Sequence, residues 1–148
     1  MKLTKELQRY NSLFIDTAPF IYFIEKHPKF GSVAKEVVDV FQSDKLQAFS
    51  SVVTLTEVLA KPYQVGNETL AKKFSEFLIY GKHLSLLEIS TSIAERAARL
   101  RGQYFWLRTV DALQISASLY VNANVFITND KPLKQVKEIN VIVLEDYL

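Results

Sequence analysis

Ser12-Leu13-Phe14-Ile15-Asp16-Thr17-Ala18-Pro19-Phe20-Ile21-Tyr22-Phe23-Ile24 reads as a short buried strand followed at once by a helix. Ser12 to Ile15 supply the strand. Thr17 suits a helix cap, and Pro19 falls in the first turn, where a missing N–H costs nothing. Phe20, Ile21, Phe23 and Ile24 then form an apolar helical face. Asp16 and Pro19 interrupt the run, which is too short to span a bilayer.

The same alternation continues outward. Val33, Val37, Val38 and Phe41 recur at helical spacing within Lys29 to Ser43, and Gln47 to Val53 reads as a second strand. Thr54 precedes Glu57 by three residues, the spacing of a capping box, and that helix is expected to end by Lys61, before Pro62. Thr69 to Tyr80 carries Leu70, Phe74, Phe77 and Leu78 on one face, with Gly81 as its stop. Leu84 to Ile89 reads as a third strand, buried on both sides. Ser90 or Thr91 caps the next helix, which ends near Gly102. Thr109 opens another, over Val110 to Val121, with a small-residue stripe at Ala112, Ser116 and Ala117. Asn124 to Thr128 is a fourth strand, Leu133 to Val136 a brief helix and Val141 to Leu144 a last strand. Strands alternating with helices imply an α/β fold with a parallel sheet covered on both faces.

Composition bounds the rest. At 148 residues, nearly half of them hydrophobic, the chain is expected to form a single domain over residues 1–148 with a real core. Eighteen basic against sixteen acidic residues leave a net charge of only +2, too little to advertise nucleic-acid binding. Gathering several acids into one pocket would leave the remaining surface more basic. With no cysteine, a disulfide framework and a thiolate metal site are both excluded, which fits a reducing cytoplasm. Met1 to Asn11 is polar and lacks the apolar core of a signal peptide; no membrane association is expected.

Four acids stand where such a fold can bring them together: Asp16, Glu57, Asp111 and Asp130. Each has an ordinary explanation as a cap or as a charge in a first helical turn. Jointly they suggest chemistry, because strand carboxyl ends in a parallel sheet converge on one crevice. Carboxylates held together repel unless a cation joins them, and Mg²⁺ or Mn²⁺ prefers oxygen ligands. His27 and His83 do not form a ligand-spaced pair, so neither zinc nor histidine base catalysis is favoured. Walker, dinucleotide and nucleophile-elbow patterns are absent.

The segments Phe14 to Tyr22, Thr54 to Leu59, Arg108 to Gln114 and Phe126 to Asp130 resemble, in order, the four motifs of PIN-domain ribonucleases. Ala97-Ala98-Arg99-Leu100-Arg101 resembles the VapC-type toxins of toxin–antitoxin pairs. The resemblance spans about Ser12 to Leu148 and implies a three-layer α/β/α sandwich around a central parallel sheet. It also implies an Mg²⁺- or Mn²⁺-dependent endoribonuclease that cuts RNA, a homodimer, and inhibition by a small antitoxin protein. Carried over, it makes Asp16, Glu57, Asp111 and Asp130 the catalytic, metal-binding acids, with Thr128 and Thr17 in support. Arg101, Arg108 and Lys131 lie near the acids in sequence and are candidates to hold RNA phosphates. Tyr22, Tyr104, Phe105 and Trp106 are candidates for stacking on bases, against the plainer reading of packing. Ala18 stands where many relatives carry Asn or Ser, and Met1 to Asn11 extend beyond the usual start without an assigned role.

A catalytically silent PIN-like module binding RNA or protein is the alternative. Haloacid-dehalogenase-like phosphatases need a second acid where Ala18 stands, and receiver domains need an acidic neighbour beside Asp16; both are disfavoured.

Overall fold

The computed structural model describes residues 2–43 and 46–148. Its elements, in chain order, are α1 (Lys2–Leu7), β1 (Ser12–Ile15), α2 (Thr17–Ile24), α3 (Gly31–Ser43), β2 (Gln47–Ser51), α4 (Val52–Gln64) and α5 (Glu68–Tyr80). They continue with β3 (Leu84–Leu87), α6 (Thr91–Gln103), α7 (Thr109–Tyr120), β4 (Val125–Thr128) and β5 (Val141–Val143). Short 3-10 helices follow β4 (Lys131–Gln135) and β5 (Leu144–Tyr147). The five strands form one parallel sheet in the order β3-β2-β1-β4-β5.

Alternation along the central strands divides the core. Leu13 and Ile15 of β1 and Val125 and Ile127 of β4 face a layer containing α1 to α5. Phe14 and Phe126 point the other way, onto α6 and α7, with ring centroids 5.6 Å apart. Both faces of the sheet are thus covered, giving the expected three layers. The order reverses between β1 and β4: β2 and β3 are added on one side, β4 and β5 on the other. A crevice opens outside the carboxyl ends of strands that flank such a reversal.

Several local expectations are corrected. Glu57 does not close a capping box with Thr54, because α4 begins two residues before Thr54. Its cap is Ser51, whose Oγ accepts the Val53 N–H at 3.1 Å, so β2 stops at Ser51 despite the β-branched Val52 and Val53. Pro62 does not end α4, which runs on to Gln64. Proline's φ is already helical, and its missing donor forfeits a single bond, the one to the Val58 carbonyl. Asp16, not Thr17, is the N-cap of α2. Of the two candidates at α6, Ser90 is the cap.

β3 is an edge strand, with Leu84 buried but Ser85 exposed, rather than a strand enclosed on both sides. Gly81 does end α5, but through close approach: its φ of −61° is ordinary, and a Cβ there would strike the Phe77 carbonyl.

The N-terminal extension now has a structural role. Met1 lies outside the described residues, but Leu3 and Leu7 of α1 are 0% exposed and join the larger core cluster. Thr4 donates to Glu36 of α3 from both its N–H (3.2 Å) and its Oγ (2.7 Å).

Candidate active site

Asp16, Glu57, Asp111 and Asp130 line one open pocket of about 380 Å³ at the carboxyl edge of the sheet, beside the reversal between β1 and β4. β1 delivers Asp16, and the Asp16 N–H is anchored on the Ile127 carbonyl of β4 at 2.9 Å. Asp130 follows β4 by two residues, Asp111 sits in the first turn of α7, and Glu57 lies on α4. Thr17, Tyr22, Arg108 and Thr128 share the lining, as does Ala18, which adds no hydrogen-bonding side chain.

Asp16 is the fixed centre of this arrangement. Its Oδ1 accepts the Thr17 N–H at 2.9 Å, and its Oδ2 accepts the Thr128 hydroxyl at 2.9 Å. The Thr128 Oγ in turn accepts the Asp130 N–H at 3.1 Å, so one hydroxyl ties the first acid to the last. Thr17 Oγ donates to Glu57 Oε1 at 2.5 Å. Thr17 and Thr128 therefore both touch acids. Burial pushes the Asp16 carboxyl up to about 6, with the Asp111 and Glu57 charges adding to the rise and the two hydrogen bonds opposing it. Burial also raises Asp111, against the pull of Arg108.

Arg108 is the basic residue brought into the cluster. Its Nε meets Asp111 Oδ2 at 3.1 Å, and a terminal guanidinium nitrogen lies 3.8 Å from Asp130 Oδ2. Arg101 and Lys131 are not among the pocket's lining residues. Arg101 Nε donates to the Leu107 carbonyl at 3.0 Å, and Lys131 pairs with Glu145 at 2.8 Å. With these side-chain positions, no three carboxylate or imidazole groups among the described residues close on a common point as they would around an ion. The donor set itself fits a hard cation: four carboxylates, no sulfur and no imidazole at the site.

The sequence reading missed a buried polar layer beneath the acids. Gln114 Nε2 donates to Thr54 Oγ at 2.6 Å and lies 3.5 Å from Asp16 Oδ1, while Gln114 Oε1 accepts from Ser51 Oγ at 2.5 Å. Ser50 Oγ donates to the Ile15 carbonyl at 2.8 Å and sits 2.9 Å from Thr54 Oγ. All four side chains are buried. A signal existed: Gln114 is one helical turn after Asp111, and Thr54 one turn before Glu57. An apolar hollow of about 510 Å³, bounded by α2 and α3, contains none of the acids.

A parallel three-layer domain with four carboxylates at its strand reversal defines the class. The family follows directly: the PIN domain model matches residues 13–139, and the chain belongs to the PIN domain family. No curated protein sequence matches it.

Solved structures share the fold at low identity. VapBC2 from Rickettsia felis, bound to a fragment of its promoter DNA, is 18% identical with a TM-score of 0.73, over 89% of this chain and 98% of that one. A toxin–antitoxin complex from Klebsiella pneumoniae is 21% identical with a TM-score of 0.66, over 89% and 97%. VapC20 from Mycobacterium tuberculosis, a toxin that cleaves the sarcin-ricin loop, is 13% identical with a TM-score of 0.64, over 77% and 86%. Among the described residues no helix is long and apolar enough to cross a membrane.

Proposed function

We propose that this protein is an Mg²⁺- or Mn²⁺-dependent endoribonuclease, acting in the cytoplasm as the toxin of a toxin–antitoxin pair. The observation that carries the reading is the convergence of Asp16, Glu57, Asp111 and Asp130 on one pocket from four separate parts of the chain. Family membership and the toxin–antitoxin complexes that share the fold support it. A cation would be held by these carboxylates, which otherwise raise one another's proton affinity. When bound, it supplies Lewis acidity toward water and the phosphate oxygens. The chain's own part is to orient those carboxylates. Thr17 and Thr128 fix Asp16, Thr17 also holds Glu57, and Gln114 braces Thr54 beneath them. Arg108, paired with Asp111 and lying 3.8 Å from Asp130, would compete with a cation for these two carboxylates.

RNA cleavage is therefore expected only with added Mg²⁺ or Mn²⁺, to stop with a chelator, and to leave a 5′-phosphate on the downstream fragment. Mn²⁺ should also raise the melting temperature without RNA, since an ion that binds the native site stabilises it. Cleavage that persists in chelator, or products ending in a 2′,3′-cyclic phosphate, would sink the mechanism. Mn²⁺ binding with RNA bound but uncut would favour the silent module instead.

The same reading includes a homodimer. Tyr63, Tyr80 and Tyr120 are large exposed side chains available to such a contact. Light scattering at micromolar concentration should give twice the chain mass; a monomer at all concentrations would refute the dimer.

A further inference from the structure

Beside the acid pocket lies a second hollow, of about 500 Å³, lined by Trp106, Arg108, Asp111, Asp130, Pro132 and Gln135. It shares Arg108, Asp111 and Asp130 with the first, so anything seated in it abuts the carboxylates. Its aromatic wall is Trp106, the one tryptophan in the chain, 42% exposed. The loop presenting it is pinned on both sides. Leu107 is buried, its N–H bonds the Tyr104 carbonyl at 3.0 Å, and its carbonyl accepts Arg101 Nε at 3.0 Å. The Tyr104 ring meets Trp106 edge-on at 5.9 Å, and the Tyr104 hydroxyl donates to Glu138 at 2.6 Å while accepting the Lys137 N–H at 3.1 Å. A large ring held at the surface by a braced loop is a preorganised stacking face.

We propose that this hollow binds one unpaired nucleobase of the RNA, stacked on Trp106, next to the phosphodiester presented to the acids. The inference rests on the ribonuclease reading above and adds a substrate-positioning residue to it. The chemistry suits a base rather than an aliphatic ligand. A flat indole takes any base face, the exposed Gln135 amide can donate to and accept from a base edge, and Arg108, which lines both the hollow and the acid pocket, offers a cation for the linking phosphate. A paired base is already stacked and is excluded, so the site selects single-stranded RNA.

Trp106 supplies its own readout. The full-length Asp16→Asn protein is titrated with oligoadenylate, alone or annealed to oligouridylate, while tryptophan emission is followed. Steady-state cleavage is measured in parallel for Trp106→Ala and Trp106→Phe, with folding checked by melting. Saturable quenching by the single strand and little by the duplex is expected. Trp106→Ala should raise KM on the order of tenfold to a hundredfold with kcat nearly unchanged, and Phe should restore most of it. RNA cleavage by the native protein with no change in emission, and an unchanged KM in Trp106→Ala, overturns the base site and leaves the nuclease standing. Quenching without any cleavage by the native protein does the reverse. Emission that changes on protein dilution but not with RNA assigns the loop to a contact between copies and likewise overturns the proposal.

Discussion

Replacing Asp16 by Asn is expected to reduce RNA cleavage by about a thousandfold or more, the scale seen when one member of a catalytic unit is lost. The fold should survive, because an Asn side-chain oxygen can still accept the Thr17 N–H that caps α2. Stability without divalent metal should even increase, and in a particular pH window. The Asp16 carboxyl is raised in the folded protein from 3.8 to about 6, so between those values the native state holds a proton that the unfolded chain has released. That proton's stabilising contribution is complete below about pH 4 and is lost as pH rises through 6. Asn does not titrate and suffers no such loss. The variant should therefore gain on the parent from pH 4 to pH 7, by up to about 3 kcal/mol, and plateau above. Melting curves across that range check the sign. A gain that shrinks with rising pH, or a variant that unfolds although Asn keeps the cap, would contradict the buried, mutually repelling cluster.

Leu7→Ala is expected to cost about 2–5 kcal/mol, lowering the melting temperature on the order of 10 °C. Leu7 is fully buried in the larger core cluster, and α1, only six residues long, has too few turns to persist without tertiary packing. Cleavage per folded molecule should be nearly unchanged at low temperature, because α1 contributes no residue to the acid pocket. An unaltered melting temperature would show that the N-terminal helix is dispensable to the core.

The sequence alone determined the layering and the acids. β1 and β4 are short apolar runs that each precede an acid closely, and helical periodicity is plain in α3, α5 and α6, so a parallel sheet with covered faces followed from local pattern. Those are signals carried by neighbouring residues, which is why they survive in a linear reading. Element edges were less legible where propensity and packing disagree. Val52 and Val53 look like strand but enter α4 because Ser51 caps it, and Pro62 looks like a terminus but lies inside α4, which continues to Gln64.

Only the tertiary structure decided what lies far apart in sequence yet close in space. Strand order put Asp16 and Asp130 at the same reversal, and it made β3 an edge. Packing of α7 against the sheet inserted Gln114 between Thr54 and Ser51, turning unremarkable polar residues into the floor of the site. It drew Arg108 onto two acids while tying Arg101 and Lys131 elsewhere, and it folded a polar-looking N-terminal segment into the core through two leucines. Partner choice for a charged or amphipathic side chain depends on which surfaces meet, and composition and spacing carry no record of that.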